Sequence, residues 1–239
     1  METSVSQEGW IPPHMAAHHA RLEKARHDAC WLNQAIVQHG LVVMHSGNAS
    51  VYDAQSGQML IKPSGVDYDQ MTPDLMVQVD VRSGAVIGDS LRPSVDLPHH
   101  LMLYRNMPGV ASVVHTHSTY ATAFAACLQP IPMCLTAIAD EFGGEIPCAP
   151  YVDNADDNIG RTILRHHTHA PAILLGNHGV FAWGATAAEA LKAAVMVEDV
   201  ARTVSVAKQI GQPVLLPVSE AAKWHNRYQT RYGQIRSAA

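Results

Sequence analysis

His115 and His117, one residue apart, close the apolar, β-branched run Val110-Ala111-Ser112-Val113-Val114. Side chains alternate faces along a strand, so the two imidazoles project the same way from Cα atoms ~7 Å apart. That spacing lets both rings converge on one divalent ion, at about 2.0–2.1 Å for zinc–nitrogen bonds. The run before them supplies a rigid element to hold them. The pattern H-x-H does not decide the matter alone, because the chain contains 15 histidines. His99-His100 and His166-His167-Thr168-His169 are rival groupings. The second lies in the polar, proline-punctuated stretch RHHTHAPA and reads as a solvated helix end, where partial positive charge suits the C-terminal dipole. His178 differs: it follows the buried run 171–177 directly, in an Asn-His-Gly turn of the kind that displays polar side chains at a sheet's edge. Asp96 in RPSVDLPHH begins a helix, either as its capping carboxylate or as a fourth ligand beside three histidines.

These residues need a scaffold, and the sequence around them outlines one. Residues 1–13 read as an irregular arm ending in Pro12-Pro13, and 14–239 as a single domain with no internal repeat. Helix formers with apolar residues at helical spacing run from His14 to His39, with Gly40 as the stop. Short strands follow at 49–53, 59–63 and 77–81, separated by turn chemistry at Ser56-Gly57 and Ser83-Gly84. Thr72-Pro73-Asp74 reads as an N-cap with proline at the first helical position. The spacing then predicts a helix over 96–107 ended by Pro108-Gly109, a strand over 110–117 and a helix over 118–128. A buried strand at 171–177 precedes a long helix from Thr186 to Gly211, opened by the capping box Thr186-Ala-Ala-Glu189. The tail 219–234 reads as helical. Helices and strands alternate, but several strands are joined by tight turns, so an α/β fold with a mixed, largely antiparallel sheet between helical layers is expected.

Composition narrows the function. Only 15% of residues are charged and the formal net charge is −5, with no run of Lys or Arg, which disfavours a nucleic-acid partner. The low charge also suggests extra buried surface, as in an oligomer. No stretch approaches the ~20 apolar residues of a membrane span. The N-terminus lacks the basic and apolar regions of a secretory signal. Cys30, Cys127, Cys134 and Cys148 show no C-x-x-C pairing and read as reduced thiols of a cytoplasmic protein.

In order along the chain stand Ser46-Gly47-Asn48, Ile61-Lys62-Pro63-Ser64-Gly65, Pro93-Ser94-Val95-Asp96, His115-Thr116-His117-Ser118, Asn177-His178-Gly179 with Phe181-Ala-Trp-Gly184, and Tyr232-Gly233-Gln234. This ordered set resembles the class II aldolase/adducin family, and within it the pentulose-phosphate 4-epimerases, from about residue 20 to residue 234. The resemblance implies that Asp96, His115, His117 and His178 bind a divalent metal, Zn2+ or another such as Mn2+ or Co2+. It implies that Asp140 and Tyr232 transfer protons at the metal of a neighbouring subunit in a homotetramer. Gly47, Asn48, Ser64, Gly65 and Ser94 are the implied contacts of a sugar-phosphate substrate, with Lys62 adding charge. The family's aldolases carry Glu where this chain has Asp96, so the resemblance favours C4 epimerisation by retro-aldol cleavage and re-formation. The alternative is an aldolase or decarboxylase acting on a related, or less phosphorylated, sugar. Asp140 adjoins Glu141, and the alignment alone chooses between them. Val95 departs from the family's P-S-S-D: it removes a hydroxyl donor where the phosphate is expected.

Overall fold

A computed structural model describes residues 12–88 and 91–231. Helix α1 (Pro13–Gln38) starts with proline in its first turn, where a missing N–H costs nothing, and Gly40 beyond its end adopts φ +67. Pro13, expected to close the arm, therefore opens the helix. The rest of the arm, residues 1–11, lies outside the described residues.

Strands β1 (Asn48–Asp53), β2 (Gln58–Ile61) and β3 (Val77–Asp80) form an antiparallel meander, with two short 3-10 turns at Tyr68–Gln70 and Pro73–Leu75 before β3. Helix α2 (Leu97–Asn106) leads to β4 (Ser112–Thr116) and α3 (Thr119–Ala126). Then come α4 (Thr136–Phe142), the two-residue β5 (Cys148–Ala149) and α5 (Asn158–His166). Strands β6 (Ala172–Leu175) and β7 (Gly179–Gly184) form a hairpin, followed by α6 (Ala187–Ile210) and α7 (Val218–Arg231). At the start of α6 half of the expected box is present: Thr186 Oγ1 accepts the Glu189 N–H at 3.2 Å, while Glu189 Oε2 accepts the N–H of Ala185, one residue before the cap, at 2.9 Å.

The seven strands form one sheet in the order β3-β2-β1-β4-β7-β6-β5, antiparallel throughout except between β5 and β6. It is a mixed, largely antiparallel sheet, as the turn chemistry implies. Strand alternation divides the apolar side chains between two cores. Ala49, Val51, Leu60, Val114, Val180 and Ala182 face α1, α3, α4 and α6. Met59, Ile61, Val113, Ile173, Phe181 and Trp183 face α2 and α5. Three layers result, and the face that carries the site is the one covered by α2.

Along β1 and β4 that face turns polar. Register pairs Asn48 with His115 and Ser50 with Val113. The Ser50 hydroxyl bonds both His100 Nδ1 and the Tyr104 hydroxyl of α2 at 2.7 Å. This buried, bonded cluster fixes α2 against the strands and so sets where its first turn stands.

Candidate metal centre

His115 is the penultimate residue of the fully buried β4, and its ring stacks on Phe181 of β7 with centroids 4.5 Å apart. Its Nδ1 lies 2.9 Å from the Val180 carbonyl, an acceptor, so Nδ1 carries the proton and Nε2 presents a lone pair. His117, two residues on, turns its Nε2 to within 3.0 Å of that atom. His178 closes the group from the β6–β7 turn, its ring centroid 5.0 Å from that of His115 and 5.1 Å from that of His117. One ligand atom from each of the three lies within 4.8 Å of the others. The turn works because Asn177 accepts φ +57 and because Gly179 lacks a side chain. A Cβ on Gly179 would fall 2.4 Å from the Thr116 carbonyl and 2.7 Å from His117 Cδ2.

Asp96 stands at the head of α2, yet its side chain makes no capping bond. Its Oδ2 instead accepts the Asn48 amide at 2.6 Å and lies 4.0 Å from His115 Nε2, while Oδ1 lies 3.9 Å from His99 Nε2. The residue is 6% exposed. The carboxylate thus does not cap its helix: one oxygen lies toward His115 and the other toward His99 of α2.

The electrostatics suit a cation. Burial drives the His115 imidazole down to about 3, helped by His117 and His178 and opposed by Asp96. Burial likewise lowers His117 and His178. At Asp96 burial is the largest single influence and pushes upward, but the charges of His115 and His100, the Asn48 bond and His99 together outweigh it, so its carboxyl lies below the usual range. Imidazole nitrogens and a carboxylate are donor types that a divalent ion accepts, and the three histidines form the group that could hold one. Without an ion, His117 Nε2–H can donate to the His115 Nε2 lone pair across the 3.0 Å between them; the same spacing lets both nitrogens turn to one ion.

The expected phosphate segments lie beside this centre. Gly47 adopts φ +88, and a Cβ there would sit 2.5 Å from Val42 Cγ1 and 2.7 Å from the His115 carbonyl. Asn48 is 2% exposed, with its side-chain amide donated to Asp96. Ser64 and Gly65 form an exposed turn joined to the Ser94 segment by Pro63–Pro93 pairing and by Ser64 N–H to the Arg92 carbonyl at 2.9 Å. Ser94 is buried, and its hydroxyl is 3.4 Å from the Asp96 N–H. Lys62, expected to add charge, is buried beneath the turn. Its ammonium donates to the Pro63 and Val66 carbonyls at 3.2 Å each and lies over the Tyr68 ring, so it shapes the turn from inside. Val95 is 73% exposed, in place to meet a ligand.

Asp140 is not gathered with the histidines. It lines a cavity of about 310 Å3 between α4 and α7 with Thr136, Trp224, Arg227 and Tyr228. Its neighbour Glu141 is buried and ion-paired with Lys192 at 2.9 Å. Glu141 lines a separate cavity of about 360 Å3 with Lys192 and His225, so the two carboxylates face different spaces, Asp140 being the less buried of the two. Tyr232 lies outside the described residues. Tyr228, which the sequence does not single out, is the phenol that shares Asp140's cavity. The rival group at 166–169 is exposed at the end of α5, as the bland reading expects.

A three-layer fold with a largely antiparallel sheet and a histidine cluster that could hold a metal ion places the chain among α/β proteins with a candidate metal centre. Residues 27–205 match the Class II Aldolase and Adducin N-terminal domain, and the chain belongs to that family. It is 38% identical over 210 residues to the L-ribulose-5-phosphate 4-epimerase UlaF of Salmonella paratyphi B, covering 83% of this chain and 91% of that protein. The UlaF of Salmonella choleraesuis matches to the same extent. Among solved structures, an L-fuculose 1-phosphate aldolase superposes with TM-score 0.78 at 26% identity, over 86% of this chain and 96% of that one. YgbL from Escherichia coli, for which aldolase, epimerase and decarboxylase are named as alternatives, gives 0.74 at 25% identity, over 86% and 99%. No helix among the described residues is long and apolar enough to cross a membrane, and the four cysteines are unpaired.

Proposed function

We propose that this chain is a divalent-metal-dependent enzyme of sugar-phosphate metabolism that inverts C4 of a pentulose phosphate, interconverting L-ribulose 5-phosphate and D-xylulose 5-phosphate. The observation that carries the reading is the convergence of His115, His117 and His178 beside the buried Asp96, in a chain 38% identical to a 4-epimerase. Zn2+, Mn2+ or Co2+ held by these four residues supplies Lewis acidity that polarises a ketose carbonyl. The chain's own groups do the rest. The exposed Ser64-Gly65 turn, with the Ser94 hydroxyl and the backbone of Gly47-Asn48, anchors the phosphate through small donors that approach it without bulk. A base removes the C4 hydroxyl proton, the C3–C4 bond breaks, and the aldehyde fragment turns over. Re-addition on its other face inverts C4 when an acid on the opposite side returns the proton.

Asp140 and Tyr232 are the proposed pair. Asp140 faces a cavity that contains none of the four ligands, which supports a homo-oligomer, a tetramer, in which it serves a neighbouring subunit's centre. Four unpaired cysteines fit a cytoplasmic location. Incubating the zinc-loaded protein with L-ribulose 5-phosphate and following the sugar by 13C NMR tests the reading. D-xylulose 5-phosphate is the expected product, and a free aldehyde would replace it with a lyase.

One observation favours a second reading. Val95 presents an apolar side chain, 73% exposed, where the family pattern has a hydroxyl. A hydrogen bond to a charged group contributes about 1.5–3 kcal/mol, so its loss weakens phosphate binding roughly tenfold or more. An aldolase or decarboxylase acting on a less phosphorylated acyclic sugar fits that change. On this reading Val95→Ser raises kcat/KM for phosphorylated ketoses and leaves unphosphorylated ones unchanged.

A further inference from the structure

His99 is fully buried in the first turn of α2, three residues after Asp96. Neither of its ring nitrogens has a hydrogen-bond partner. Its neighbour His100 is anchored through Nδ1 to Ser50. Burying an imidazole with both nitrogens unpaired is unfavourable, and a phenylalanine or leucine would fill the same space without that cost. The ring packs edge-on to Phe181, the residue on which His115 stacks, and its backbone lies against α5 at Gly160. The nearest polar group shown for it is Asp96 Oδ1, 3.9 Å from Nε2. The other oxygen of that carboxylate already takes the Asn48 amide.

We infer that His99 is a positioning residue for the metal centre: its Nε2–H donates to Asp96 Oδ1 once Asp96 engages an ion, and so fixes the plane of the carboxylate between two donors. The inference rests on the proposed metal reading. A ligating carboxylate held by Asn48 alone is free to swing about its Cβ–Cγ bond. Held from both sides, it presents one orientation to the ion. The 3.9 Å separation is a contact that a small rotation of Asp96 toward its neighbours closes. Groups that hold metal ligands in this way typically change metal affinity or activity 10–100-fold when removed.

The test compares metal-free wild type, His99→Phe and His99→Gln by zinc competition against a chromophoric chelator, with thermal melting of each metal-free protein. Glutamine keeps an N–H near the position of Nε2; phenylalanine keeps the ring and loses the donor. Zinc affinity is expected to fall about 10–100-fold in the phenylalanine variant and to stay within about threefold in the glutamine variant. Melting of the metal-free phenylalanine variant is expected to be no lower than wild type. Zinc binding by His99→Phe equal to wild type overturns the inference, and so does an equal loss in both variants, which would assign His99 to shape alone. Should His99→Phe fail to fold, His99→Met carries the same comparison. A wild-type chain that binds no zinc defeats the metal reading, and this inference with it.

Discussion

Asn48→Ala isolates the tie between the sheet and the carboxylate at the head of α2. Asn48 Nδ2 donates to Asp96 Oδ2 at 2.6 Å in a setting where both residues are under one-tenth exposed. A hydrogen bond to a buried charge is worth about 1.5–3 kcal/mol, and that much stability is at stake. Some is returned, because Asn48 Oδ1 is buried without a partner and disappears with the side chain. A net loss of about 1–2 kcal/mol is therefore expected in denaturant unfolding of the metal-free protein. The Asn48 bond is one of the influences that hold the Asp96 carboxyl down, so removing it raises that pKa. A group whose folded pKa is depressed stabilises the native state above its unfolded pKa and loses that contribution as pH falls through the folded one. In the variant this contribution is smaller and its loss is complete at a higher pH, and zinc is released earlier on acidification. Zinc affinity at neutral pH falls roughly 10–100-fold. Competition titrations at several pH values read all of this. If Asn48 served only the phosphate, KM for a phosphorylated ketose would rise while zinc affinity and unfolding stayed as in wild type, and that outcome would refute the reasoning.

Three further outcomes are expected. Gly47→Ala forces an L-residue into φ +88 with its Cβ 2.5 Å from Val42 Cγ1 and 2.7 Å from the His115 carbonyl. The left-handed conformation alone costs about 1–2 kcal/mol, so unfolding shifts by at least that much, and a change within 0.5 kcal/mol, roughly the range of a neutral surface substitution, would contradict the close approach. Glu198 of α6 accepts the Tyr120 N–H through both carboxylate oxygens and the Ala121 N–H through Oε2, at 2.9–3.1 Å, capping α3 directly after the histidine strand. Glu198→Ala is expected to lower stability by about 1–3 kcal/mol, read by thermal melting, with Glu198→Gln losing less. In metal-free protein, His100 and His115 have pKa values of about 3, set first by burial, against an ordinary 6.5. The unfolded chain binds those protons first, so stability falls as pH drops below about 6.5, by about 2 kcal/mol for each residue at pH 5. Denaturant midpoints at pH 7 and pH 5 measure this, and a flat profile would count against burial of these rings.

Much of the scaffold is legible because its signals are local. Strand alternation places His115 and His117 on one face, and the Thr186–Glu189 box marks the start of α6. What the sequence hides depends on partners distant along the chain. Helix α5 contains Gly160, which reads as a breaker; the structure needs it because a Cβ there would fall 2.7 Å from Met102 Cβ of α2. Strand β5 is two residues long and exists only through its pairing with β6. Helix α4 is short and closes on Gly143 at φ +67. At the site, Asp96 looks like a cap because it heads a helix, and only Asn48, from β1, turns it toward the histidines. The choice between Asp140 and Glu141 likewise depends on Lys192, fifty residues on, which claims the glutamate.

The central claim is that Asp96, His115, His117 and His178 hold a single divalent ion. The most direct measurement is X-ray absorption at the zinc edge on the zinc-reconstituted, dialysed protein, together with its metal content. The account predicts one tightly held ion per chain, a first shell of three imidazole nitrogens and carboxylate oxygen at about 2.0–2.2 Å, and loss of the ion in His117→Ala. A substoichiometric, easily dialysed ion, or a shell unchanged by His117→Ala, would contradict it.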